Sequence, residues 1–586
     1  MATLRSIDYV VITAYFIAMI LIGFLSVRKD KQKDSKSFLL GGGKLPYFAL
    51  GISCLMASLS AFSIVMVPGE IFNHGLSMFV LGLFTPLVSI LACSIFLRFY
   101  FKLGSFTPFA YLEYRYSPAV RSLVAGLGLY SSMTYLGMVL FSTSKIFLGA
   151  AGWSPWLSIV LIGGVSLAFT SAGGLKAVVW TDVMQFIVLI GGLFCILFFL
   201  FWKIDGGVVG AISTCFREGH GIDEYFKPSF YKLSPYNRLS FWILLFSMLV
   251  GGVSGAVTNQ MGIQRMLASG NLRNAVKTQT VNAIFTIPTS LILWIIGIGV
   301  FTYYFQNQDF KPASGDTALF TFISTQIPSP IPGLILAGML AAVISTLNAA
   351  FNSMATIYVK EFHVRYFNPE LTEDRQVRLS RIATIIVGVL AIGQGLLVTL
   401  SSDWLRQSVI EASTIFSIFN AIILPAFLYA IFSKRASTML VWVASGLLWG
   451  MKIGTITWYM LSTNAVNRWQ EGMPLGYGGP IGFTIPVCVF VAGLLAIFLW
   501  NHLRDKTRPF HTFLMTLPTM ITGFGAGLII WAISSNLCIG DTPRAVSFQW
   551  LGVPADILYI LLGIIWLNVG EIQPKEKWQG MILFET

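Results

Sequence analysis

Gly51-Ile-Ser-Cys-Leu-Met-Ala-Ser-Leu-Ser-Ala-Phe-Ser-Ile-Val-Met-Val-Pro-Gly-Glu70 is long and apolar enough for a membrane-crossing helix, yet Ser53, Ser58, Ser60, Ser63, Pro68 and Glu70 interrupt it. A second stretch of this kind, Gly251-Gly-Val-Ser-Gly-Ala-Val-Thr-Asn-Gln260, leads into Gln264-Arg265. A helix broken at mid-membrane frees carbonyls and amides that lipid cannot satisfy. The break persists only where a cavity, an ion or a solute takes those groups. Close packing through small residues is the plainer explanation for one such helix. Two in corresponding positions of two halves point instead to the binding site of an inverted-repeat transporter.

Working outward, the chain has 586 residues, 55% of them hydrophobic and only 11% charged, against about 25% charged in soluble domains. Ordinary cytosolic enzymes, disordered tails and nucleic-acid modules are excluded. Fifteen stretches approach the ~20 apolar residues that a spanning helix needs: 7–27, 45–70, 75–101, 118–148, 156–172, 179–203, 240–268, 277–305, 330–361, 377–402, 405–433, 437–462, 479–501, 513–537 and 548–568. They are continuous runs rather than the alternating segments of a β-barrel. The expected class is all-α integral membrane, with about 14–15 transmembrane helices. The first span lacks a basic n-region and a small-residue cleavage site, so it reads as a retained helix rather than a signal peptide. The net charge of +13 has an explanation other than a polyanion partner. Most Lys and Arg, Arg115 and Arg265 counted among them, fall on alternate loops read as cytoplasmic, which places the N-terminus outside and the C-terminus in the cytoplasm.

The ninth span adds Gly338-Met-Leu-Ala-Ala-Val-Ile-Ser-Thr-Leu-Asn-Ala-Ala-Phe-Asn-Ser353. Ala342, Ser345, Thr346 and Ala349 share one helical face. Two adjacent hydroxyls plus carbonyls, facing a broken helix, make an oxygen cage suited to a hard cation such as sodium. Charges inside the membrane are functional by default, which singles out Asp182 and Glu411. Glu70 and Lys145 lie near helix ends, where a long side chain reaches the interface. The six cysteines show no metal spacing. Free thiols are expected, with a Cys215–Cys538 disulfide as the alternative.

On these residues the chain resembles the sodium:solute symporter family, with its LeuT-type 5+5 inverted-repeat fold and flanking helices. The most specific piece is Gly173-Gly-Leu-Lys-Ala-Val-Val-Trp-Thr-Asp-Val-Met-Gln185. Phe38-Leu-Leu-Gly-Gly-Gly-Lys-Leu-Pro46, Tyr111-Leu-Glu-Tyr-Arg-Tyr-Ser117, Asn259-Gln-Met-Gly-Ile-Gln-Arg265 and Ala341-Ala-Val-Ile-Ser-Thr-Leu-Asn348 support it. The resemblance implies a sodium site formed by the carbonyls of Met56, Leu59 and Ala342 and the hydroxyls of Ser345 and Thr346. It implies a second sodium site or exit path at Asp182 and Asn348. Because later hydroxyl positions of that second site read Asn348 and Ala349, one sodium per cycle is favoured. For the substrate it implies Ser60, Ser63, Asn259 and Glu411. Ser63 and Glu411 stand where the sugar-carrying branch has glutamines, and no counterpart of that branch's pocket glutamate occurs near Gly82. Val67-Pro-Gly-Glu-Ile-Phe72 and Tyr135-Leu-Gly-Met-Val-Leu140 look more like the branch carrying iodide, monocarboxylates and vitamins. Sugar, monocarboxylate and amino-acid-like solutes all stay open.

The expected organisation is an N-terminal helix and basic loop over 1–44, a first five-helix repeat over 45–203 and a long outer loop over 204–239. A second repeat covers 240–433, and further helices cover 434–586. The expected function is sodium-coupled import of a small polar solute across the plasma or inner membrane, with sodium as coupling ion and no organic cofactor. The partners are the solute and the lipid bilayer, with no nucleic acid and no obligate protein partner. A channel would need a selectivity ring, a sensor would append a soluble domain, and an enzyme would show a nucleophile–base pair.

Overall fold

The structure, a computed structural model, describes residues 4–29, 40–43, 45–104, 107–170, 175–232, 237–308, 312, 314–405 and 423–435, with 438, 441–442, 572–579 and 582. Glu411, Cys488, Cys538, Asp556, Gly173 and Gly174, all but 438 and 441–442 of the four predicted spans from 437 onward, and most of 405–433 lie outside the described residues. Among those described, six helices are long and apolar enough to cross a membrane, or up to eight if each of two sharply bent pairs counts as one span.

In chain order, α1 is Ser6–Lys29, followed by the bent pair α2 (Tyr47–Ser58) and α3 (Ala61–His74). α4 is Thr85–Leu103, α5 Ala110–Arg115, α6 Pro118–Ala151, α7 Pro155–Thr170 and α8 Leu175–Lys203. After the short helix α9 (Gly207–Arg217) come the second bent pair, α10 (Phe241–Val257) and α11 (Gln260–Leu267), and then α12 (Leu272–Gln306). α13 (Gly315–Gln326), α14 (Ile331–Ile357), α15 (Glu373–Leu405) and α16 (Ile423–Phe432) complete the series.

Both predicted interruptions are real bends, of 59° between α2 and α3 and 47° between α10 and α11. Neither break contains Pro, and each is preceded by a hydroxyl bonded back to its own helix. Ser58 Oγ donates to the Leu55 carbonyl at 2.9 Å and Thr258 Oγ1 to the Ser254 carbonyl at 3.0 Å. Such side chains offer the backbone an alternative to the helical ladder. Leu59 and Ser60 are then extended, and the chain re-enters a helix at Ala61.

The chain divides into two compact units. In the larger (1–108, 132–227 and 245–413), α14 is the central helix. Of its most apolar 18-residue stretch, 94% is buried, as expected of a helix hydrophobic all round. α8, α15, α7 and α2 pack along it, while α12 runs against α2, α3 and α4. Asp8 fixes the start of α14, accepting from Gly333 N at 3.1 Å and Ser329 Oγ at 2.6 Å. The stretch expected as a loop over 204–239 holds α9, and His220 just after that helix lies against the end of α3. There Gly75 has φ +83°, and a Cβ on it would lie 2.5 Å from the His220 carbonyl oxygen. Cys215 of α9 is a buried free thiol, and burial pushes its pKa up to about 12. In the smaller unit Arg115, counted in the sequence among loop charges, is fully buried. It donates to the carbonyls of Ala430 at 2.7 Å and Lys577 at 2.6 Å.

Two expectations about charge change. Glu70 is 3% exposed, so it sits inside the protein rather than reaching the interface. Arg265, counted as a cytoplasmic charge, is wholly buried.

Candidate functional site

The extended residues Leu59 and Ser60 end the helical ladder of α2, which turns the Met56 carbonyl toward α14. Thr346 Oγ1 lies 3.1 Å from this carbonyl oxygen and 3.1 Å from that of Ala342. Met56, Ala342, Ser345 and Thr346 are completely buried, and Leu59 nearly so. Two of the five expected sodium ligands, the Met56 and Ala342 carbonyls, therefore meet at the hydroxyl of a third, Thr346, in the buried interior. Ser345, one residue before Thr346, donates its proton to Asp182 Oδ1 at 2.5 Å, so its oxygen keeps its lone pairs for another partner.

Asp182, on α8, is fully buried. Besides Ser345 it accepts from Ser53 Oγ of α2, and Arg265 Nη2 of α11 lies 3.4 Å away. Asn348 does not join this cluster through its carboxamide oxygen, which accepts from Thr170 Oγ1 of α7. The neighbouring Ala349 brings no hydroxyl. Gln264 is bonded to α14 as well, donating to Thr356 Oγ1 at 3.3 Å and accepting from Ser353 Oγ at 3.1 Å.

Of the expected substrate residues, Ser60, Ser63 and Asn259 fall within the described residues, Ser60 and Ser63 together at the start of α3. Ser63 lines a cavity of about 210 Å³ between α3, the turn before α4 and α12, with Ser58, Phe79, Thr286, Ser290 and Trp294. The Ser60 hydroxyl is buried beside that of Tyr135 on α6 without meeting hydrogen-bond geometry. Asn259 is the N-cap of α11, its carboxamide oxygen accepting from Met261 N at 3.0 Å. An Asn just ahead of a helix has that role by preference.

The sequence reading assigned no part to Arg265, Ser53, Tyr135 or the α12 side chains. For Arg265 a signal was present, because a buried carboxylate such as Asp182 calls for a charged or hydrogen-bonding partner. For Thr286, Ser290 and Trp294 there was none, since hydroxyls and aromatics are common in any apolar span. In the cavity wall, Ser58 donates to Leu55 O at 2.9 Å, Thr286 to Asn282 O and Thr289 to Phe285 O, both at 2.7 Å. What these hydroxyls offer a solute is lone pairs.

The model of the sodium:solute symporter family matches residues 38–454. The sodium/sialic acid symporter SiaT of Proteus mirabilis is 26% identical over 444 residues, covering 74% of this chain and 86% of the relative. The sodium-dependent multivitamin transporter of Oryctolagus cuniculus is 28% identical over 401 residues, 67% of this chain and 62% of the relative. A solved structure of a Na+-coupled sialic acid symporter, substrate-bound and outward-open, shares the fold with TM-score 0.68. It is 21% identical and covers 90% of this chain and 98% of its own.

Proposed function

The chain belongs to the sodium:solute symporter family, a multi-pass membrane protein of LeuT-like fold with sodium as coupling ion, and on that premise we propose how its residues perform the transport. Sodium enters from outside and is held by the carbonyls of Met56, Leu59 and Ala342 and the hydroxyls of Ser345 and Thr346. The observation that carries this reading is the Thr346 hydroxyl, 3.1 Å from both the Met56 and the Ala342 oxygens. An ion there ties the first broken helix to α14 and stabilises the state in which the substrate pocket is formed. Sodium and solute favour the same state, so each tightens the binding of the other. A rocking of one helix bundle against the other then opens the inner side. With the N-terminus outside and the C-terminus in the cytoplasm, the membrane potential drives sodium inward with about 2.3 kcal/mol per charge per 100 mV.

The solute binds between α3, α12 and the turn before α4, with Ser63 and Thr286 among its contacts. Phe79 and Trp294 supply flat apolar surface. Wall hydroxyls whose protons are committed to helix carbonyls suit a small polar solute that donates hydrogen bonds. The relatives carry sialic acid, vitamins and monocarboxylates by name, and a polar solute of that size range is the class proposed here.

The test is uptake of a panel of labelled sugars, monocarboxylates and amino acids into vesicles, with and without a sodium gradient. Uptake of at least one solute should stop without sodium and in the double variant Ser345→Ala, Thr346→Ala. Uptake indifferent to both overturns the proposal.

A further inference from the structure

Next to the sodium cage lies a buried ion pair to which the transport cycle above gives no task. The Asp182 and Arg265 side chains are each 1% exposed, with Nη2 and Oδ2 3.4 Å apart. Arg265 Nε donates to Ser53 Oγ at 2.7 Å and Nη1 to the Met261 carbonyl at 3.1 Å. Ser53 Oγ in turn donates a hydrogen bond to Asp182 Oδ2, and Ser345 Oγ donates to Oδ1 at 2.5 Å. The inner halves of both broken helices, α2 and α11, thus meet α8 and α14 at one carboxylate. The two charges cancel. Either one alone, in a dry membrane interior, is strongly unfavourable.

Two consequences follow from the geometry. A sodium ion reaching Asp182 competes with the guanidinium for the same oxygen, so the cation position there is already filled by a side chain. Ser345 is also the joint between this pair and the cage, because the proton it gives Asp182 is what leaves its lone pairs for an ion beside Thr346. Resting on the sodium-symport reading, we propose that Arg265 is a tethered counter-ion of Asp182 that limits the protein to one sodium and times its release. While α11 is in place, Arg265 satisfies Asp182 and sodium stays in the cage. When α11 moves away, the bared carboxylate, already hydrogen-bonded to a cage ligand, draws the ion inward. Arg265 acts through Asp182 and touches neither ion nor solute, so it is a positioning residue.

The test uses the purified protein with labelled sodium as the probe, reading the half-saturation concentration and the number of ions bound per protein at saturation. The wild type should bind one. Arg265→Gln leaves Asp182 unpaired; half-saturation should fall about 10-fold and the number bound should rise toward two. Asp182→Asn added to Arg265→Gln removes the lone charge, which should restore one ion per protein. Arg265→Lys, which keeps the charge, should also bind one. A merely structural arginine would weaken sodium binding in every variant and would not be rescued by the second neutral substitution.

The proposal is overturned if wild-type protein binds two sodium ions with Arg265 present, or if Arg265→Gln leaves the sodium curve unchanged or weaker. Should Arg265→Gln alone not fold, the neutral double variant carries the test, since it buries no charge. A second sodium site in it, or lost binding at the cage, overturns the proposal. Wild-type protein that binds no sodium sinks the symport reading instead, which separates the two failures.

Discussion

The two broken helices match in topology and differ in chemistry. At the second break the protein meets its own needs. Asn259 caps α11, Tyr100 Oη donates to the Val257 carbonyl at 2.7 Å, and Ser89 Oγ donates to the Gly252 carbonyl at 2.8 Å. At the first break no side chain caps α3, the Met56 carbonyl is met only by a rotatable hydroxyl of another helix, and the Ser60 hydroxyl is buried without hydrogen-bond geometry. A break closed by the protein's own groups is a fixed bend. One whose groups are held by movable partners can exchange them for an ion. The repeat therefore supplies two bends, of which the first is suited to bind and the second to anchor and carry Arg265.

Substitutions at three positions test that division, beginning with the largest effect. Thr346→Ala removes the hydroxyl that joins the first break to α14. The half-saturation for sodium should rise about 10–100-fold, measured as sodium-dependent uptake. A sodium curve within experimental error of wild type breaks the comparison at its stronger end. Next, Thr286→Val keeps the shape of the cavity wall and removes an oxygen. The apparent KM for the solute should rise by a factor corresponding to about 1 kcal/mol, with the sodium dependence unchanged. A shift in sodium dependence instead would place this wall at the ion site.

Much of this asymmetry was legible in the sequence, and the remainder was hidden for identifiable reasons. Ser58, Ser60 and Ser63 marked the first interruption because clustered hydroxyls compete with a helical ladder. Ser345 and Thr346 followed from one-face spacing on a single helix. Arg265 was misread because counting Lys and Arg by distance from a span's end takes a basic residue near the inner edge for a loop charge. Only the bend at Asn259, which starts a new helix, keeps that side chain inside. Asn259 itself looked like a solute ligand. A carboxamide in a polar, glycine-rich segment fits a cap and a ligand equally well, and the cap shows only in the 3.0 Å from its oxygen to Met261 N. The cavity wall on α12 depends on which face of a long, uniformly apolar helix meets α3, and periodicity cannot pick that face when nearly every residue is apolar.

The smallest expected effect is the most direct probe of the second break. Asn259→Ala deletes the cap of α11, a loss of about 0.5–2 kcal/mol, and Asn259→Ser should restore most of it because a hydroxyl also accepts from the N-terminal amides. If Asn259 only caps, thermal unfolding of the alanine variant in detergent should shift downward and that of the serine variant should recover. The KM for the solute should stay put in both. If Asn259 also contacts the solute, serine, which is shorter and lacks the amide donor, should raise KM as alanine does even while stability recovers. Rescue of stability without rescue of KM would return Asn259 to the substrate pocket and make the second break a binding element like the first.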